Sequence, residues 1–165
     1  MHKSRGKNVN PVPLKFKCIS PFPEKKRGCC TFILEHNTQL VPPAKKGSTK
    51  VKKELFAEIE KVCKDAVVIC GFLRKTITYT AIVNGIKKKN HTLIDEVPFQ
   101  CLIDDVNSKE GDKFEIFDKK IICQVFEKED NFRKDNESDC KVAFNLKEKD
   151  IIQICVKEKK KKPKC

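Results

Sequence analysis

The sequence predicts a mainly β protein: an antiparallel sandwich or barrel-like domain with one short helix and extended basic termini. Three observations point there. From Ala66 onward, apolar and β-branched residues recur with period two. Asn84-Gly85 sits between two such runs and is the strongest hairpin signal in the chain. Short apolar segments then follow one another at roughly ten-residue spacing, divided by turn residues, as in all-β domains.

In chain order, Pro11, Pro13, Pro21 and Pro23 make residues 1–28 an extended arm. CCTFILEH (29–36) is apolar and β-prone, and VPPAKKGSTK (41–50) reads as a loop. Residues 51–63 place Val51, Leu55, Ile59 and Val62 at near-helical spacing, which predicts a short helix capped near Ser48 or Thr49. AVVICGFLRKTITYTAIV (66–83) is strand, with Gly71 as a bend or bulge. Segments 86–95, 97–105 and 113–129 supply further strands. EKEDNFRKDNESD (127–139) reads as a polar loop, and 140–146 with 150–158 close the fold. The expected core comprises Val68, Phe72, Ile77, Tyr79, Phe99, Ile103, Phe114, Ile116, Ile122, Phe144 and Ile154. The 165 residues fit one domain over 29–156, with the arm before it and a tail at 157–165.

The net charge is +13. It belongs to the ends: residues 1–30 hold eight cations against Glu24 alone, and 157–165 hold six lysines against Glu158. The body between them is nearly neutral. Such ends attract polyanions or stay solvated as tails. Only four of the 36 cations are Arg, so base-specific nucleic-acid readout is not expected. No apolar run approaches membrane-spanning length, and no membrane insertion is expected.

Ten cysteines suggest disulfides and an oxidising destination. The N-terminus has no apolar h-region, so no secretory signal peptide is expected. Together these fit synthesis in a reducing cytoplasm and later oxidation. Neighbouring cysteines strain a bridge to each other, so Cys29 and Cys30 favour two different partners. Cys18, Cys29, Cys30 and Cys165 lie on or beside the basic arm and tail, where flexibility and nearby cations favour exchange. They are the candidates for bonds between subunits. Cys70, Cys101 and Cys123 lie in strands and are the candidates for buried thiols.

Catalytic and metal motifs are missing from the sequence. His2, His36 and His91 are scattered, no C-x-x-C occurs, and there is no nucleophile elbow or phosphate-cradling loop. Asp104 and Asp105 are adjacent on a strand and point to opposite faces. Neither enzyme activity, cofactor nor metal is expected.

Between Ala66 and Glu127, three segments stand in order: VVICGFLRKTITYTAIVNG, EVPFQCLIDD and EGDKFEIFDKKIICQVFE. Gly71 follows a β-branched run, Tyr79 closes the first strand, Pro98-Phe99 precedes the next, and Gly111 sits in an acidic turn. This pattern resembles the SPOCS-type domain of spore-forming Clostridia and Bacilli. The resemblance implies a structural protein of the spore surface, exosporium or coat, made in the mother-cell cytoplasm and deposited on the spore. It further implies self-assembly into a ring or a disulfide-cross-linked two-dimensional lattice, with itself and other spore-surface proteins as partners. Two other classes remain open: a polyanion-binding module using the basic termini, and a disulfide-stapled secreted inhibitor.

Overall fold

The computed structural model of the protein describes residues 17–18 and 26–160. It is built from seven strands: β1 (Lys17–Cys18), β2 (Cys29–Lys45), β3 (Lys50–Cys63), β4 (Ala66–Val83), β5 (Ile86–Ile103), β6 (Phe114–Lys134) and β7 (Lys141–Glu158). All pairings are antiparallel. The sheet curls into a half-barrel. One half is β3–β4–β5, with β4 in the middle. The other is β2–β7–β6, with the short β1 beyond β6. The halves join where Ala44 of β2 pairs with Ala81 of β4.

Asn84 (φ 49°) and Gly85 (φ 71°) both occupy the left-handed region, as a two-residue hairpin turn requires. Val83 therefore faces Ile86, and β5 returns unbroken along β4 to Ile103. Pro98 is tolerated inside β5 because β5 pairs only with β4, so its other edge needs no donor there.

The expected helix at 51–63 is a strand instead, and no helix occurs among the described residues. Val51, Lys53, Leu55, Ala57 and Ile59 alternate along β3, and a register shift between Ile59 and Lys61 then turns Val62 toward the core. That shift, with Lys53 at an inward position, gives the apolar residues a spacing that also fits a helix. Thirteen backbone pairings with β4 decide for strand. Two expected loops are also largely strand. β2 runs through Pro42 and Pro43 to Lys45, and β6 extends to Lys134.

Ile77, Tyr79, Phe99, Ile103, Ile122 and Ile154 are buried as expected. Val68 and Phe72 instead lie on the outer face of β4, half-buried, as are Phe114, Ile116 and Phe144. The register of β4 against β3 and β5 runs through Gly71 without a shift, so no bulge flips the strand there. Its odd positions from Val67 to Ala81 point inward: Val67, Ile69, Leu73, Lys75, Ile77, Tyr79 and Ala81. Gly71 shares that face because nothing larger fits. A Cβ there would lie 2.1 Å from the Phe56 carbonyl oxygen and 2.7 Å from Phe99 Cζ.

The interior has two apolar clusters. One gathers Val67, Ile69, Phe99, Ile103, Ile152, Ile154 and Val156. The other gathers Leu40, Ala44, Ile77, Tyr79, Ala81, Ala143 and Leu146, with the Tyr79 hydroxyl donating to the Pro42 carbonyl at 2.8 Å. Charged side chains fill the space between them.

Candidate functional site

Each of the six long strands contributes to this polar layer. Lys75 lies between Leu73 and Ile77 on β4, Lys53 between Val51 and Leu55 on β3, and Asp95 between Leu93 and Val97 on β5. Glu148 and Asp150 lie between Leu146 and Ile152 on β7. His36 and Thr38 come from β2, and Glu127 from β6. Lys75 is 1% exposed, Glu148 2% and Asp150 1%.

Desolvating these charges is costly unless each finds partners. Lys75 donates to Glu148 and to Thr38 Oγ1 at 2.7 Å, and lies 3.6 Å from Asp95. Lys53 Nζ is 2.8 Å and 3.1 Å from the two Asp150 oxygens, 3.1 Å from Glu148 Oε1 and 3.5 Å from Glu127. His36 Nε2 is 3.0 Å from Asp95, whose carboxylate also accepts from Thr38. Two ammonium groups thus serve four carboxylates.

Burial alone would lower Lys53. Its bond to Asp150 and the charges of Glu148 and Asp150 outweigh that and hold the ammonium above its ordinary value. Burial pushes Asp150 up, against the pull of Lys53, with the Glu148 charge adding to the rise. Glu127 is raised for the same first reason. At Asp95, burial is outweighed by the Thr38 hydrogen bond and the charges of Lys75 and His36, so its carboxyl is held below the ordinary range. Every charge here is engaged with another from a different strand, which suits the layer to fixing register and holding the halves together.

The cysteines divide into bridged and free. Cys29 bonds Cys155, its cross-strand neighbour on β7, and Cys30 bonds Cys101 on β5, across the interior. Successive residues on a strand point to opposite faces, so the adjacent pair serves two partners. Cys29 and Cys30, expected to link subunits, are thus bonded within the chain. Cys101, expected as a buried thiol, is the partner of Cys30. Cys123 is 1% exposed and is disulfide-bonded as well. Cys70 is a free thiol but half-exposed rather than buried, because its even position on β4 faces outward. Cys18 is placed by its backbone alone, opposite Cys123, and Cys165 lies outside the described residues. Cys63 and Cys140, given no role by the sequence, are also free and half-exposed.

Cys70 opens into a cleft of about 730 Å³ on the outer face of β3–β4–β5. Phe56, Phe72 and Pro98 line it from outward positions, and the Gly71 backbone and Phe99, which belong to the inner face, line it as well. The Phe56 and Phe72 rings stack at 4.9 Å, with the Arg74 guanidinium 4.9 Å from the Phe56 ring and Lys119 Nζ at 5.9 Å. Glu58 sits beside Cys70 and accepts from its thiol at 3.7 Å. Packing around the sulfur and the charges of Glu58 and Glu60 push the Cys70 thiol up.

No family model, curated protein or solved structure matches the chain. Sequence reasoning missed the polar layer. Its signal was a single charge at an inward position of an otherwise apolar strand face, but that signal is legible only once each strand's inward parity is known.

Proposed function

We propose that the protein is a structural, self-assembling component of the bacterial spore surface, cross-linked by disulfides into a two-dimensional lattice. The observation that carries this reading is the partition of its thiols. Internal bridges staple the body, and among the described residues three half-exposed thiols remain at three separate places: Cys63 at the end of β3, Cys70 on the outer face of β4 and Cys140 before β7. One spare thiol gives a dimer when oxidised, whereas three spaced thiols give a net. The resemblance of residues 66–127 to the SPOCS-type domain supplies the spore surface as the setting, and late oxidation explains how a cytoplasmic product acquires its bonds.

The test is sizing and electron microscopy of the purified chain, oxidised and in dithiothreitol. Large ordered assemblies that reductant weakens are expected, and a quadruple Cys63→Ser, Cys70→Ser, Cys140→Ser, Cys165→Ser variant should assemble without becoming covalently linked. A protein that stays monomeric at high concentration under oxidising conditions would overturn the reading. Steep, salt-sensitive retention on heparin by such a monomer would favour the polyanion-binding alternative instead.

A further inference from the structure

An antiparallel sheet with one face on the core usually presents a polar face to water. The outer face of β3–β4–β5 departs from this. Leu102 is 57% exposed and Ile94 63%, and between them lie Val68, Pro98, Phe72 and Phe56, all at outward positions. Their backbone pairings place Leu102 beside Val68, and Pro98 beside Phe72 and Phe56 in turn. Polar rows, Glu58–Cys70–Gln100 and Glu54–Arg74–Glu96, separate these apolar groups along the strands, and exposed apolar groups of this size set among charges mark an interaction surface.

This face is uneven in shape and charge. The stacked Phe56–Phe72 pair projects at one level of the sheet, and one step along the strands the small residues Cys70 and Gly71 leave the hollow of the cleft. Lys119 and Arg74 flank the Phe56 ring, but Arg74 lies in the row beyond it, between Glu54 and Glu96, and is paired with Glu96 at 2.7 Å, which leaves Lys119 as the cation without a carboxylate partner there among the described residues. Acids lie at the hollow's level and beyond: Glu58, beside Cys70, and Glu60.

We propose that this face docks a second copy of the chain, related by a two-fold axis that lies in the interface, crosses the strands and passes at the level of Gly71. Such an axis reverses the order along the strands. It sets the Phe72 ring of each copy over the Cys70–Gly71 hollow of the other, and brings Glu58 of each toward Lys119 of the other. An isologous contact requires a patch complementary to itself, and bump against hollow with acid against base is such a patch. The contact also covers the Cys70 thiol, so that while it holds, covalent links of the net form through thiols outside it such as Cys63 and Cys140. This inference rests on the proposed self-association and names the face that carries it.

The experiment is sedimentation of the full chain over a range of concentrations in dithiothreitol, so that no covalent link contributes. The parent should associate reversibly, and, once the dithiothreitol is removed, alkylation of Cys70 by iodoacetamide should slow as it does. Phe72→Glu, on an outward position, should raise the apparent dissociation constant about tenfold or more. Glu58→Lys and Lys119→Glu should each weaken association, and the double variant should recover it, because the swap restores both contacts across the axis. If the parent associates but Phe72→Glu associates equally well, or the charge swap fails to rescue, this face is wrong while the self-assembly reading stands. A parent that remains monomeric in dithiothreitol and after oxidation overturns both.

Discussion

Lys75 on β4 and Glu148 on β7, 1% and 2% exposed, form an ion pair that joins the two halves of the curled sheet midway between its two apolar clusters. Neither charge has access to water, so each depends on the other and on the groups around it.

Removing one member should therefore cost more than removing both. Lys75→Met alone leaves Glu148 short of a cation, and a loss of about 3–5 kcal/mol is expected. The double variant Lys75→Met, Glu148→Leu should regain much of that loss, because matched apolar groups carry no desolvation cost. Urea midpoints of the parent, both single variants and the double variant form the cycle that checks it. An additive cycle would show that the two charges do not depend on each other.

The pH dependence follows from the surplus of carboxylates. Burial raises Glu127 and Asp150, so the folded chain holds protons that the unfolded chain releases. Stability from these two groups is therefore present at acid pH and falls as pH rises from the ordinary carboxylate range through their raised values. Asp95 works oppositely: its contribution is present above its ordinary value and is lost as pH falls through its lowered one. Lys53, held above its ordinary value, loses its contribution only in strongly alkaline solution. The difference in urea midpoint between parent and Glu127→Gln should grow in the variant's favour from acid to neutral pH. A difference that shrinks over that range contradicts the assignment.

Gly71→Ala is expected to destabilise by about 2–3 kcal/mol, the upper part of the overpacking range. The added Cβ would meet the Phe56 carbonyl at 2.1 Å, and backbone on a paired strand cannot move aside as a side chain can. Thermal unfolding of the purified variant measures it. A Cys70→Ala control on the neighbouring outward position should fall well short of that loss.

The two fully described bridges close long stretches of chain, 126 residues for Cys29–Cys155 and 71 for Cys30–Cys101. Loop-closure cost grows only with the logarithm of length, so each bridge should contribute about the same, roughly 4 kcal/mol in the chain-entropy account. Paired Ser variants, unfolded under non-reducing conditions, test this. Non-reducing peptide mapping should recover the peptide of Cys29–Cys30 joined to those of both Cys155 and Cys101.

The sequence by itself determined the β class, the Asn84-Gly85 hairpin and the long strand from Ala66 to Val83. These rest on local chemistry: β-branched residues, period two, and a turn whose two residues tolerate positive φ. Tertiary structure decided what depends on partners distant in the chain. Residues 50–63 have apolar spacing that fits helix or strand, and pairing with β4 settles it. The inward face of β4 was not fully legible locally, because Lys75 interrupts its apolar row while Val68 and Phe72 make the first half of the opposite face apolar too. Only the acids on β5 and β7 make that lysine an interior residue. The cysteines follow the same logic, since Cys30 reaches Cys101 only because β2 and β5 lie across the interior from one another. A charge or a thiol carries no mark of the group that will face it, and that group is fixed by strand order and register.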